Sequence, residues 1–203
     1  MLNWLEYTLC SLSICLLIFI VPGQVFLLSI NEGMKSIKNG FLMLLGVITA
    51  ELSLIALLEF GAMHLLNKYI FIINIAGAIV LIWLGLSAIH SGIRGIKMNT
   101  TQSSYRNSYI RGLLLTLFNP PFIVWLITAG FSLLNRGLET IGSTAHLIFA
   151  LSIIGGSTIV SLTLILLAAY SHKPLGEKGL RLLSFLSGGA FIVLAFKLLY
   201  LGI

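Results

Sequence analysis

The sequence predicts an all-α polytopic membrane protein whose six transmembrane helices form two inverted three-helix repeats, with an interrupted first helix in each half. Three observations carry this expectation. Hydrophobic residues make up 58% of the 203-residue chain and charged residues only 9%, against about 25% charged in an average soluble protein. Six apolar stretches are each long enough to span a hydrocarbon core, which takes about 20 helical residues. Helix-breaking motifs fall at similar places in the first and fourth of these stretches.

The first span is expected over Leu5 to Ile30, broken at Pro22-Gly23. It has no Lys or Arg ahead of its apolar run, carries Glu6 there, and shows no small-residue cleavage pattern, so it reads as a retained helix and not a secretory signal. Both cysteines, Cys10 and Cys15, lie in this span. Five positions apart on one helix, their side chains point in different directions. Small apolar packing residues describe them better than a disulfide or a metal site.

The second span, Gly40 to Leu65, contains Glu51; the third runs from Tyr69 to Ser91. A polar connection rich in Ser, Thr and Asn follows, about residues 94–108. It joins two halves of nearly equal length, 1–93 and 109–203, within one transmembrane domain, 1–203. Three spans per half is an odd number, which turns the second half upside down relative to the first. The fourth span, Tyr109 to Leu134, is broken at Asn119-Pro120-Pro121. The fifth and sixth are Thr144 to Ala169 and Leu180 to Leu201. The third spans of the two halves begin alike, with Gly77-Ala78-Ile79-Val80-Leu81 and Gly189-Ala190-Phe191-Ile192-Val193.

Basic residues set the expected orientation. Lys35, Lys38, Arg94, Lys97, Arg106, Arg111, Lys173, Lys178 and Arg181 fall on one side, against Lys68, Arg136 and Lys197 on the other. By the positive-inside rule both termini then lie outside the cytoplasm and the polar connection lies within it. The net charge of +6 is thus an orientation signal. With no aromatic-interleaved basic patch, a nucleic-acid partner is not expected.

Proline removes a backbone donor and clashes with the preceding turn, so each break frees backbone groups inside the bilayer. Such groups are costly there unless they meet protein, water or a ligand. Corresponding interrupted helices in inverted halves are the best sequence pointer to a transporter's substrate site, although a simple kink is the alternative for either motif alone. Gly23 permits close backbone approach, and Asn119 brings an amide to the same depth. Glu51 lies about 16 Å into its span, near the midplane. With no basic residue at that depth in any span, it is a neutral acid, a carboxylate in a wet cavity, or one that meets a cationic substrate or proton. Glu59, followed by His64 and Lys68, reads as an interfacial carboxylate that reaches water. The fifth span has small-xxx-small spacing, Ser152 to Gly156 and Ser157 to Ser161, which suits close helix packing. Ser157 is level with Glu51 and the breaks and is placed to bond a polar solute.

No enzyme site is expected: the chain has no aspartate, no Gly-rich phosphate loop and no His pair at metal spacing. No cofactor is implied, and the energy for transport must come from gradients or the membrane potential.

Val21-Pro22-Gly23-Gln24 leading into an acidic second helix, Leu117-Phe118-Asn119-Pro120-Pro121-Phe122, and the Gly77 and Gly189 segments make the chain resemble the lysine exporter (LysE/RhtB-type) family of small amino-acid exporters over nearly its whole length. The chain departs from the family pattern at Gln24, where a proline is usual, at Pro121, where lysine is frequent, and at Ser157 and Val160, where many members carry an acid and a tryptophan. The resemblance implies gradient-driven export of an amino acid or related metabolite by alternating access, from a bacterial or archaeal inner membrane and often from a homodimer. The residues themselves place the expected substrate-binding or coupling site at mid-depth between helices one, two, four and five, formed by Pro22, Gly23, Gln24, Glu51, Asn119, Pro120 and Ser157. Export of another small solute or cation is the main alternative; a membrane thiol carrier would need cysteines from different helices, and a non-transporting scaffold would need no buried polar groups.

Overall fold

The computed structural model describes residues 4–59, 70–94, 105–171 and 177–201, all of them in helices or the turns between helices, with no strand among them. In chain order the helices are α1 (Trp4–Ile20), α2 (Gln24–Lys35), α3 (Ile37–Leu57), α4 (Ile70–Arg94), α5 (Tyr105–Leu117), α6 (Pro120–Trp125), a π-helical turn (Leu126–Gly130), α7 (Phe131–Ile141), α8 (Thr144–Ser171) and α9 (Glu177–Leu201). Five segments are long and apolar enough to cross a bilayer, namely Ile37–Leu57, Phe71–His90, Pro120–Ile141, Thr144–Tyr170 and Arg181–Tyr200; α1 and α2 make a sixth if counted as one broken span. His64, Leu65, Lys68, Lys173 and most of the polar connection, 95–104, lie outside the described residues.

Element boundaries differ from expectation around that connection. The third span runs on to Arg94, and the first helix of the second half begins at Tyr105, four residues before the apolar stretch. Helical hydrogen bonding does not require apolar side chains, so both helices continue into polar sequence that a hydropathy reading assigns to the connection.

Glycines set the closest helix contacts. α3 crosses α5 where Gly46 faces the Tyr109 carbonyl and Gly112 faces the Met43 carbonyl; a Cβ at either would collide with the opposing backbone. α4 packs along α9 with Gly85 and Gly188 in reciprocal contact, a Cβ on each falling 2.8 and 2.7 Å from the other's carbonyl oxygen. α1 and α2 both pack on α8. With lipid tails as apolar as leucine, such close backbone approach and its dispersion contacts do the work that hydrophobic burial does in water.

Large side chains sort accordingly. Trp125, Phe131, Phe149 and Phe191 are buried at the centre, whereas Phe71, Trp83, Leu147 and Val193 point outward. Hydroxyls on the helices are satisfied locally: Thr8, Ser13, Ser29, Thr49, Ser53 and Thr163 each donate to the carbonyl four residues earlier. These six hydroxyls are thereby carried on the helices without unpaired donors.

Candidate functional site

Both proline motifs interrupt their helices. At the first, α1 ends at Ile20, residues 21–23 bend, and α2 leaves at 68° to α1. The Gly23 amide donates to the Val21 carbonyl at 2.6 Å, and the Gly23 carbonyl accepts from Leu27 at 3.0 Å to start α2. No side chain caps α2. Its first amides, those of Gln24, Val25 and Phe26, therefore have no intrahelical acceptor, as at any helix start.

The second motif works through missing donors. Pro120 and Pro121 occupy the positions whose amides would bond the Thr116 and Leu117 carbonyls. The Asn119 amide turns instead to Thr116 O at 3.2 Å. Leu117 O has no amide at the fourth residue on, because Pro121 lacks one. Helix restarts at once, since proline suits the first helical turn. Asn119 stands at the cap position without its side chain capping α6. Downstream, the π-helical turn at Leu126–Gly130 adds a local widening, with Thr128 Oγ1 donating to the Val124 carbonyl.

The breaks meet. Gly23, Gln24, Val25 and Phe26 from the first and Thr116, Asn119, Pro121 and Phe122 from the second line one cavity of about 90 Å³, completed by residues of α1, Leu84 of α4 and Phe191 of α9. That is space for several water-sized molecules. Phe19 of α1 and Phe122 of α6 close one wall, their ring centroids 5.7 Å apart. Thr116 is 1% exposed, and its Oγ1 has no hydrogen-bond partner among the described residues.

Glu51 and Ser157 come together elsewhere. Both are fully buried, and Ser157 Oγ lies 2.7 Å from Glu51 Oε2 and 3.1 Å from the Ile154 carbonyl. The other carboxyl oxygen, Oε1, has no partner among the described residues. Ser157 sits at the middle of α8. Neither residue lines the cavity between the breaks, so the expected single site is two centres. Helix α1 runs between them: the Cys15 backbone lies against Gly156, next to Ser157, and Phe19, one turn further on, lines the cavity.

A third polar centre has no counterpart in the sequence reading. Glu32 of α2 is fully buried; its Oε1 meets Lys35 Nζ at 2.7 Å and an Arg111 guanidinium nitrogen at 3.4 Å, and its Oε2 accepts from Ser108 at 2.7 Å. The Lys35 spacing is visible in the sequence. The partners from α5 are not, because they lie 76 and 79 residues away. Glu59, just past α3, is partly exposed and has His146 of α8 3.3 Å away.

The LysE type translocator family model matches residues 16–202. The "Putative amino acid efflux protein YcgF" of Bacillus subtilis (strain 168) is 27% identical over 177 residues, covering 83% of this chain and 85% of that protein. No solved structure matches the chain.

Proposed function

The chain belongs to the LysE type translocator family, and we propose that this multi-pass membrane protein exports an amino acid by gradient-driven alternating access, binding it between the two helix breaks. One observation carries the reading: the breaks, one from each half, line the same cavity. The start of α2 offers uncapped amides and the positive end of a helix dipole, which suit a carboxylate. The end of α5 offers the Leu117 carbonyl and the Asn119 side chain, which suit an ammonium. A zwitterion fits between ends of opposite sign.

Glu51 and Ser157 supply the coupling. The serine has a single proton and two acceptors in reach. With Glu51 ionised, Ser157 donates to Oε2. With Glu51 protonated, the acid donates to Ser157 Oγ and the serine turns its proton to the Ile154 carbonyl. Each state is satisfied at that oxygen, so a proton is accepted or released with little rearrangement. α1 packs against both centres, and its movement would link the charge on Glu51 to the shape of the cavity.

Packing favours two inverted repeats. The second span of each half lies against the pre-break helix of the other, α3 on α5 and α8 on α1, and the third spans α4 and α9 pair with each other. In this reading both termini face away from the cytoplasm, and Glu32 ties α2 to α5 at the cytoplasmic end of the cell membrane.

Efflux from proteoliposomes loaded in turn with labelled amino acids, with and without an imposed proton gradient, tests the proposal. Gradient-dependent efflux of at least one amino acid is expected. Movement of none would overturn it.

A further inference from the structure

We propose that the cavity between the breaks selects neutral amino acids with apolar side chains, of the leucine, methionine and phenylalanine type, and rejects dibasic and acidic ones. The inference rests on the substrate site proposed above and adds what the side-chain end of that site accepts. The cavity wall contains no charged residue. Its polar groups, Gln24, Thr116 and Asn119, belong to the two breaks themselves, where the α-ammonium and α-carboxylate are engaged. The unpartnered Thr116 hydroxyl, 1% exposed, is an independent sign that a polar ligand atom belongs at this end.

The rest of the wall is apolar: Phe19 from α1, Leu84 from α4, Phe122 just past the second break and Phe191 from α9. A side chain leaving the α-carbon in that direction meets aromatic and aliphatic surface. A lysine ammonium or a glutamate carboxylate there would lose its hydration without gaining a counterion. Glu51, the nearest thing to a counterion by depth, does not line the cavity and is bonded to Ser157. By the cost of a bare charge at membrane depth, such substrates are expected to compete at least about 100-fold more weakly than leucine. Serine, small and polar, leaves the apolar wall unfilled and is expected to compete about tenfold more weakly than leucine.

The test is a competition panel on the intact, reconstituted protein. Uptake or efflux of labelled leucine is measured against excess unlabelled methionine, phenylalanine, serine, lysine, arginine and glutamate, in the wild type and in Leu84→Glu. Leu84 lines the cavity and is only half-buried, so the substitution puts a carboxylate at the wall without emptying the core. Expected results are strong competition by methionine and phenylalanine, little by lysine, arginine or glutamate, and a gain of lysine competition in the variant. Lysine or serine competing in the wild type as well as leucine does would overturn the selectivity while leaving amino-acid export standing. A folded Leu84→Glu protein that gains no lysine competition would overturn the assigned wall. If no amino acid moves at all, the export reading itself fails, and this inference falls with it.

Discussion

The Ser157 hydroxyl on α8 lies 2.7 Å from the buried Glu51 carboxyl on α3, and the carboxyl's other oxygen has no partner among the described residues. A half-satisfied acid at the centre of a bundle is poorly explained as interhelical glue, because glue would satisfy both oxygens. It is well suited to a group that changes its protonation. Glu51→Gln preserves the volume and the acceptor but fixes the side chain as neutral. It is expected to leave the protein folded and to abolish the dependence of efflux on the proton gradient, read as equal rates with and without the gradient in proteoliposomes.

Ser157→Ala separates a structural from a coupling role. Interhelical hydrogen bonds in membranes contribute about 0.6 kcal/mol on average and at most about 1.7. The thermal midpoint in detergent should therefore fall only slightly. Gradient-driven efflux should fall much more, because the protonated acid loses its acceptor and the ionised acid loses its donor.

Pro120→Ala with Pro121→Ala returns two amides to the positions that would bond the Thr116 and Leu117 carbonyls. An interior proline costs a helix about 3 kcal/mol, so the double variant is expected to be at least as stable as the wild type. It is also expected to lose transport, because the second break closes. Loss of activity with raised thermal stability would distinguish this from misfolding.

Glu32 is fully buried, while its partners Lys35 and Arg111 are 14% and 40% exposed. Removing both cations and removing the more exposed one are therefore unequal changes. Lys35→Ala with Arg111→Ala strips a buried carboxylate of both these cations and should cost about 3–5 kcal/mol. Arg111→Ala alone, at 3.4 Å and well exposed, should cost under about 1 kcal/mol. Thermal unfolding of the three proteins in detergent gives the order directly.

What the chain discloses about itself follows the range of the interactions involved. Breaks at Pro22-Gly23 and Asn119-Pro120-Pro121 are readable because proline's missing donor is a local fact. The depth of Glu51 and Ser157 is readable because helical rise is constant, and their meeting is consistent with that depth. Helix ends around the connection are less legible, because polar sequence near Tyr105 is nonetheless helical. Thr116, Phe19, Leu84 and Phe191 reach the cavity only through the crossing of six helices. No spacing in the sequence marks them, just as none pairs Glu32 with Ser108 and Arg111. The separation of Glu51 from the cavity is likewise a matter of which way helices face, which depth alone does not determine.

Thiol labelling at Thr116 reports on the shared cavity most directly. With Cys10→Ser and Cys15→Ala removing the native thiols, Thr116→Cys places a single thiol in the wall between the breaks. A small hydrophilic thiol reagent should label it in reconstituted protein, and leucine should slow that labelling in a concentration-dependent way. A thiol that never reacts, or reacts at the same rate whatever amino acid is present, would contradict a substrate site formed where the two breaks meet.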